Sequence, residues 1–130
     1  MIRTMIRIRL LAVMPLAIVA ATLAACSGGS PGQAAAQGAC QAYASFNRHS
    51  VATTAAQADA VVATARGDAD HAATADPAWA NLQRDMTYVF SWRGSLDTAT
   101  ASQMDAYFAA DRRVQADCGS AGEDIGPLRP

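Results

Sequence analysis

Few side chains of this sequence could do chemistry, and their spacing narrows the choice further. There are three cysteines (Cys26, Cys40, Cys118) and two histidines (His49, His71). A metal site would need the histidines to converge with carboxylates such as Asp59, Asp68 or Asp70, and no H-x-x-x-H or C-x-x-C spacing gives it a local start. The run Asp68-x-Asp70-His71 is an acidic patch of the kind that solvated surfaces carry. Serine, threonine and aspartate are plentiful, but there is no nucleophile elbow and no phosphate-cradling glycine loop. With no histidine placed near a candidate nucleophile, no triad can be assembled. The expectation is no catalytic residue, no metal, no cofactor and no enzyme activity.

Cys26 stands in a distinctive setting. Leu23-Ala24-Ala25-Cys26 closes a stretch that carries no charge over residues 10–25, and Arg3, Arg7 and Arg9 precede it. A basic start, an apolar middle and small residues at the end are the order of a secretory signal peptide. The tetrapeptide resembles the lipobox of bacterial lipoprotein precursors. That resemblance implies cleavage before Cys26, a diacylglycerol thioether on its sulfur and fatty acylation, as by palmitate, of the new N-terminus. The protein would then be anchored to the cell membrane on its extracytoplasmic side. An ordinary secretory signal and an uncleaved anchor are the alternatives. The second would have to span with about 16 uncharged residues interrupted by Pro15, short of the roughly 20 a membrane helix needs. Ser27 is not the Asp that would suggest inner-membrane retention in a Gram-negative cell.

Once Cys26 is assigned to lipid, Cys40 and Cys118 are left as an even pair in an oxidising compartment, and a disulfide follows. It would close a loop of about 78 residues, worth roughly 4 to 5 kcal/mol by chain entropy. A redox or metal pair is the alternative. Loss of residues 1–25 also removes three of the ten arginines, leaving seven against eleven Asp and Glu, a formal charge of −4. That balance argues against nucleic acid or an anionic membrane surface as partner. Arg112-Arg113 is the one basic pair left, and its plain reading is solvated. The absence of lysine and the abundance of alanine resemble small lipoproteins of high-GC bacteria, in which a short polar tether leads to an Ala-rich helical domain.

The elements that must position these residues read as helices without strands. Residues 26–36 read as a flexible tether, 37–119 as a helical domain and 120–130 as a disordered tail. A first helix covers about 37–50, with Cys40, Tyr43, Ala44 and Asn47 on one face. Thr54-x-x-Gln57 is a capping box opening a second, whose inner face (Ala58, Val61, Val62, Ala65, Ala69, Ala72) is nearly all small. Asp76-Pro77 starts a third, with Trp79, Leu82, Met86, Val89, Phe90 and Arg93 at helical spacing and Gly94 as its stop. Thr100-x-x-Gln103 caps a fourth, with Met104, Tyr107, Phe108, Val114 and Cys118 on one face and Gly119 as its stop. Short connections make an up-down-up-down four-helix bundle with one disulfide.

In that bundle Asn47 lies seven residues after Cys40 and Asp111 seven before Cys118, so on antiparallel helices both move the same way and should form a buried polar pair. Register fixing, a ligand contact, or an Asp111 that reaches water are the readings it allows. Phe46, Tyr88 and Trp92 point away from the main stripes, as a partner surface or as the edge of a wide core. The functional expectation is a lipid-anchored, non-enzymatic protein-interaction module with an envelope protein as partner. A small-ligand or metal carrier is the alternative.

Overall fold

A computed structural model describes residues 29–48 and 54–126. Residues 1–28, which include Cys26, residues 49–53, which include His49, and residues 127–130 lie outside the described residues. The described chain is all-α, with helices α1 (Gln33–Arg48), α2 (Ala55–Ala75), α3 (Ala80–Ser91) and α4 (Ala101–Ala121), and single 3-10 turns at Pro77–Trp79 and Leu96–Thr98. Each helix packs on the next and α4 closes back onto α1, giving the up-down-up-down bundle. No described helix is long and apolar enough to cross a membrane.

The helix starts follow local chemistry. Thr54 and Thr100 each accept the backbone N–H of the glutamine three residues on, and that glutamine's side chain returns to the threonine N–H. These reciprocal bonds satisfy two donors that a helix start would otherwise leave open. Asp76 accepts from the Ala78 N–H, and Pro77 opens the 3-10 turn that leads into α3. At the other end, α4 runs past Gly119 to Ala121. Gly122 (φ 93°) takes the left-handed position, while the Glu123 N–H reaches the Cys118 carbonyl, a Schellman closure.

Both domain boundaries differ from the expectation. The first helix begins at Gln33 and not at 37, and beyond residue 119 α4 continues to Ala121, with Ile125 packed on the core. The reason is tertiary. The side-chain amides of Gln33 and Gln37 both donate to the Ala121 carbonyl, at 3.3 and 2.7 Å, and Gln41 donates to Glu123 at 2.9 Å. Glutamines four residues apart thus form a stripe that ties α1 to the end of α4. Gly32 turns the entering chain with φ +77°, where a Cβ would come within 2.6 Å of the Ala72 carbonyl oxygen. Trp79 Nε1 donates to the Pro31 carbonyl at 3.3 Å, holding the same turn.

The seam between α1 and α2 is built from alanines (Ala36, Ala39, Ala65, Ala69, Ala72), all at most 1% exposed, so these helices approach closely. Ala58, Val61 and Val62, expected on the same inner face, are only half-buried. Volume comes from elsewhere: Tyr43, Leu82, Met86 and Val114 fill the centre around the disulfide. Phe108 is a correction. Expected on the inner face of α4, it is 43% exposed, because it stands about 100° around the helix from Tyr107, on the far side of a stripe of Ala110, Val114 and Cys118.

Candidate functional site

The Cys40–Cys118 disulfide joins α1 to α4 with Cα atoms 5.6 Å apart, and both residues are fully buried. A sulfur pair enclosed in this way is shielded from external thiols, which makes it structural and not a redox centre.

One turn from it lies a buried polar cluster. The Tyr43 hydroxyl donates to Asp111 Oδ1 at 2.5 Å, and the Gln115 amide donates to Oδ2 at 2.5 Å. Tyr43 is fully buried and Asp111 is 3% exposed. Asn47 joins the cluster at the Tyr43 hydroxyl. The expected direct pairing of Asn47 with Asp111 is therefore corrected: Tyr43 stands between them, and Asn47 is half-buried. Tyr43 precedes Asn47 by one turn, and its longer side chain covers the gap between the helices. Burial first, then the bond to Asp111 and its charge, push the Tyr43 hydroxyl far above the ordinary tyrosine range. Burial and the same charge also raise Tyr107. Tyr43 is thus held as a hydrogen-bond donor and is not available as a phenolate nucleophile or base.

A second cluster was not legible as such in the sequence. Asp85 on α3 is 2% exposed and takes a forked bond from Arg113 on α4, Nε to Oδ2 at 2.8 Å and Nη2 to Oδ1 at 3.2 Å. Arg84 Nε adds a third bond at 3.3 Å. Burial works against the Asp85 charge, but the two arginines outweigh it and hold the carboxyl below its ordinary range. Asp117, one turn beyond Arg113, has a buried Oδ2 without a hydrogen-bond partner. Burial and the neighbouring Asp85 charge raise it. Arg113 is exposed, as expected of a solvated cation, but it also pairs with the buried Asp85. The signal was present: residues 82, 85, 86 and 89 share one helical face, which places Asp85 among Leu82, Met86 and Val89.

The three aromatics expected to point outward do not stand free. Phe46, Tyr88 and Trp92 are half-buried against the core. Phe46 meets Phe90 edge-on at 5.3 Å, and Tyr88 meets Trp92 at 6.4 Å. Phe108 is the exposed large hydrophobic residue among those described, stacked edge-on against Tyr107 at 5.5 Å. His71 is exposed. Asp70, beside it, accepts from Gln83 at 2.8 Å, and among the described residues no cluster of three His, Cys, Asp or Glu side chains could hold a metal ion.

Both polar clusters therefore join one helix to another with their principal bonds made inside the protein. The side chains of Tyr43 and Asp111 tie α1 to α4, and those of Asp85 and Arg113 tie α3 to α4. No family model, curated protein or solved structure matches this chain.

Proposed function

We propose that this chain is a lipid-anchored, non-enzymatic binding module of a bacterial cell envelope. The observation that carries the reading is the cysteine accounting. Of three cysteines, Cys40 and Cys118 are bonded to each other, so the unpaired sulfur is Cys26, the one that stands in the lipobox arrangement. A buried structural disulfide fits a protein exported to an oxidising compartment.

An anchor at Cys26 would have a direction. Cys26 precedes Ser30, whose carbonyl opens the turn into α1, by four residues. At about 3.5 Å per residue, a lipid on Cys26 would hold the bundle within about 14 Å of the membrane surface. The end facing the lipid is the one where Gly32 meets Ala72 and Gln37 meets Ala121. The opposite end, with the start of α2 and the end of α3, would face away.

The test is mass spectrometry of the protein from membranes of its own cells, beside a Cys26→Ser variant. A mature N-terminus at residue 26 carrying diacylglycerol, with the variant released from the membrane, is the expected result. A different N-terminus, or equal membrane partition of both forms, overturns the anchoring. In-cell cross-linking of the same two forms tests the binding role. One envelope protein enriched with wild type and lost with the variant supports it, and enrichment of none removes the interaction reading.

A further inference from the structure

We propose that the open groove between α2 and the end of α3 binds a small organic monocarboxylate with an aromatic or branched apolar body. The groove encloses about 380 Å³ and is lined by Asp59, Val62, Ala63 and Arg66 from α2 with Phe90 and Arg93 from α3 and the turn after it. That volume suits a small molecule.

Arg66 is the residue that calls for a ligand. Its guanidinium lies 5.9 Å from the centre of the Phe90 ring, and its one hydrogen bond among the described residues is a long one, Nη2 to the Thr87 carbonyl at 3.5 Å. Its Nε is buried without a partner, and no carboxylate of the described residues forms an ion pair with it. A buried donor left open is costly, and a planar guanidinium edge matches the two oxygens of a carboxylate. Rotation of the terminal torsions to turn the Nε edge to an incoming anion would cost the long bond to Thr87 and the contact over Phe90.

The rest of the lining selects among anions. Arg93 is ion-paired with Asp59. Two arginines and one aspartate leave the groove with a net single positive charge, which suits a monoanion better than phosphate. Val62 and Ala63 are the accessible apolar side of the groove, with the 5% exposed edge of Phe90 behind them, so the ligand body should be hydrophobic. The proposal does not depend on lipid attachment, so either reading can fail without the other.

The experiment is a titration of the ¹⁵N-labelled full chain in detergent with 3-phenylpropionate, following the arginine Nε–H resonances. Saturable shifts of the Arg66 signal are expected, with no such response to 3-phenylpropionamide or to inorganic phosphate. Arg66→Gln and Arg66→Lys should each weaken binding by about tenfold or more, while Arg112→Gln on exposed α4 surface leaves it unchanged. Asp59→Asn should tighten binding, since it removes the negative charge and frees Arg93. That gain of function cannot be produced by misfolding. Absence of a saturable Arg66 shift at millimolar ligand overturns the proposal. So does equal binding of the amide or of phosphate, or an Asp59→Asn variant that binds no tighter.

Discussion

The Tyr43 hydroxyl donates to Asp111 Oδ1 at 2.5 Å, three residues past Cys40 on α1 and seven before Cys118 on α4. Covalent and polar links between the same two helices thus follow each other along the bundle. The sulfur bridge fixes how α1 and α4 are joined, and the hydroxyl–carboxylate bond fixes their rotation. Tyr43→Phe would leave the buried Asp111 with one side-chain donor fewer, at a cost of about 1–3 kcal/mol. Chemical denaturation read by circular dichroism checks this, and a double cycle with Asp111→Asn measures the coupling. A Tyr43→Phe midpoint equal to wild type would show that the bond adds nothing.

The disulfide should be the largest single contribution to stability. Its cysteines are 78 residues apart in sequence, so replacing both by alanine should lower unfolding free energy by about 4 kcal/mol through the freed unfolded chain. The measurement is the urea midpoint of Cys40→Ala/Cys118→Ala against wild type. A loss below about 1 kcal/mol would mean that the unfolded chain stays compact without the bridge.

Asp85 and Asp117 should pull the pH profile in opposite directions. The Asp85 carboxyl is depressed, so its contribution is present above the ordinary value of 3.8 and is lost as pH falls through its lower folded pKa. Asp117 is raised from 3.8, so it weakens the fold as pH rises through its higher folded pKa and has no effect once both states are protonated. Asp117→Asn should therefore stabilise at neutral pH, with the gain disappearing once the solution is acid enough to protonate Asp117 in both states. Thermal midpoints of the two proteins across pH 3 to 7 decide it, and parallel curves would rule out the assignment.

Stability should separate the aromatics that pack from the one that does not. Trp92→Ala removes a half-buried ring that lies against Tyr88 and the core, and should cost about 2–3 kcal/mol. Phe108→Ala removes a side chain that is 43% exposed and should change stability by less than about 1 kcal/mol. Calorimetric midpoints of both variants test the pair. A reversed order would return Tyr88 and Trp92 to the surface reading.

Helix identity, capping and the disulfide were legible in the residues because each rests on local spacing or on counting. Thr54-x-x-Gln57 and Thr100-x-x-Gln103 form the same reciprocal bonds wherever a helix starts there, and Asp76-Pro77 can hardly continue a preceding helix. With Cys26 set aside for its resemblance to a lipobox cysteine, Cys40 and Cys118 are the pair left to bond. What tertiary packing decided is which polar groups meet. Asp111 was identifiable as a polar residue on an apolar face, but its donor depends on side-chain reach across two helices, and Tyr43 reaches it where Asn47 does not. Arg113 became a buried-carboxylate partner because α3 brings Asp85 alongside α4, a contact 28 residues away in sequence. Gln33 belongs to a helix and not to the tether because the end of α4 offers it, like Gln37 and Gln41, an acceptor. Local sequence determines where helices start and which face is apolar. Partner choice across helices is set by distances that exist only once the bundle has closed.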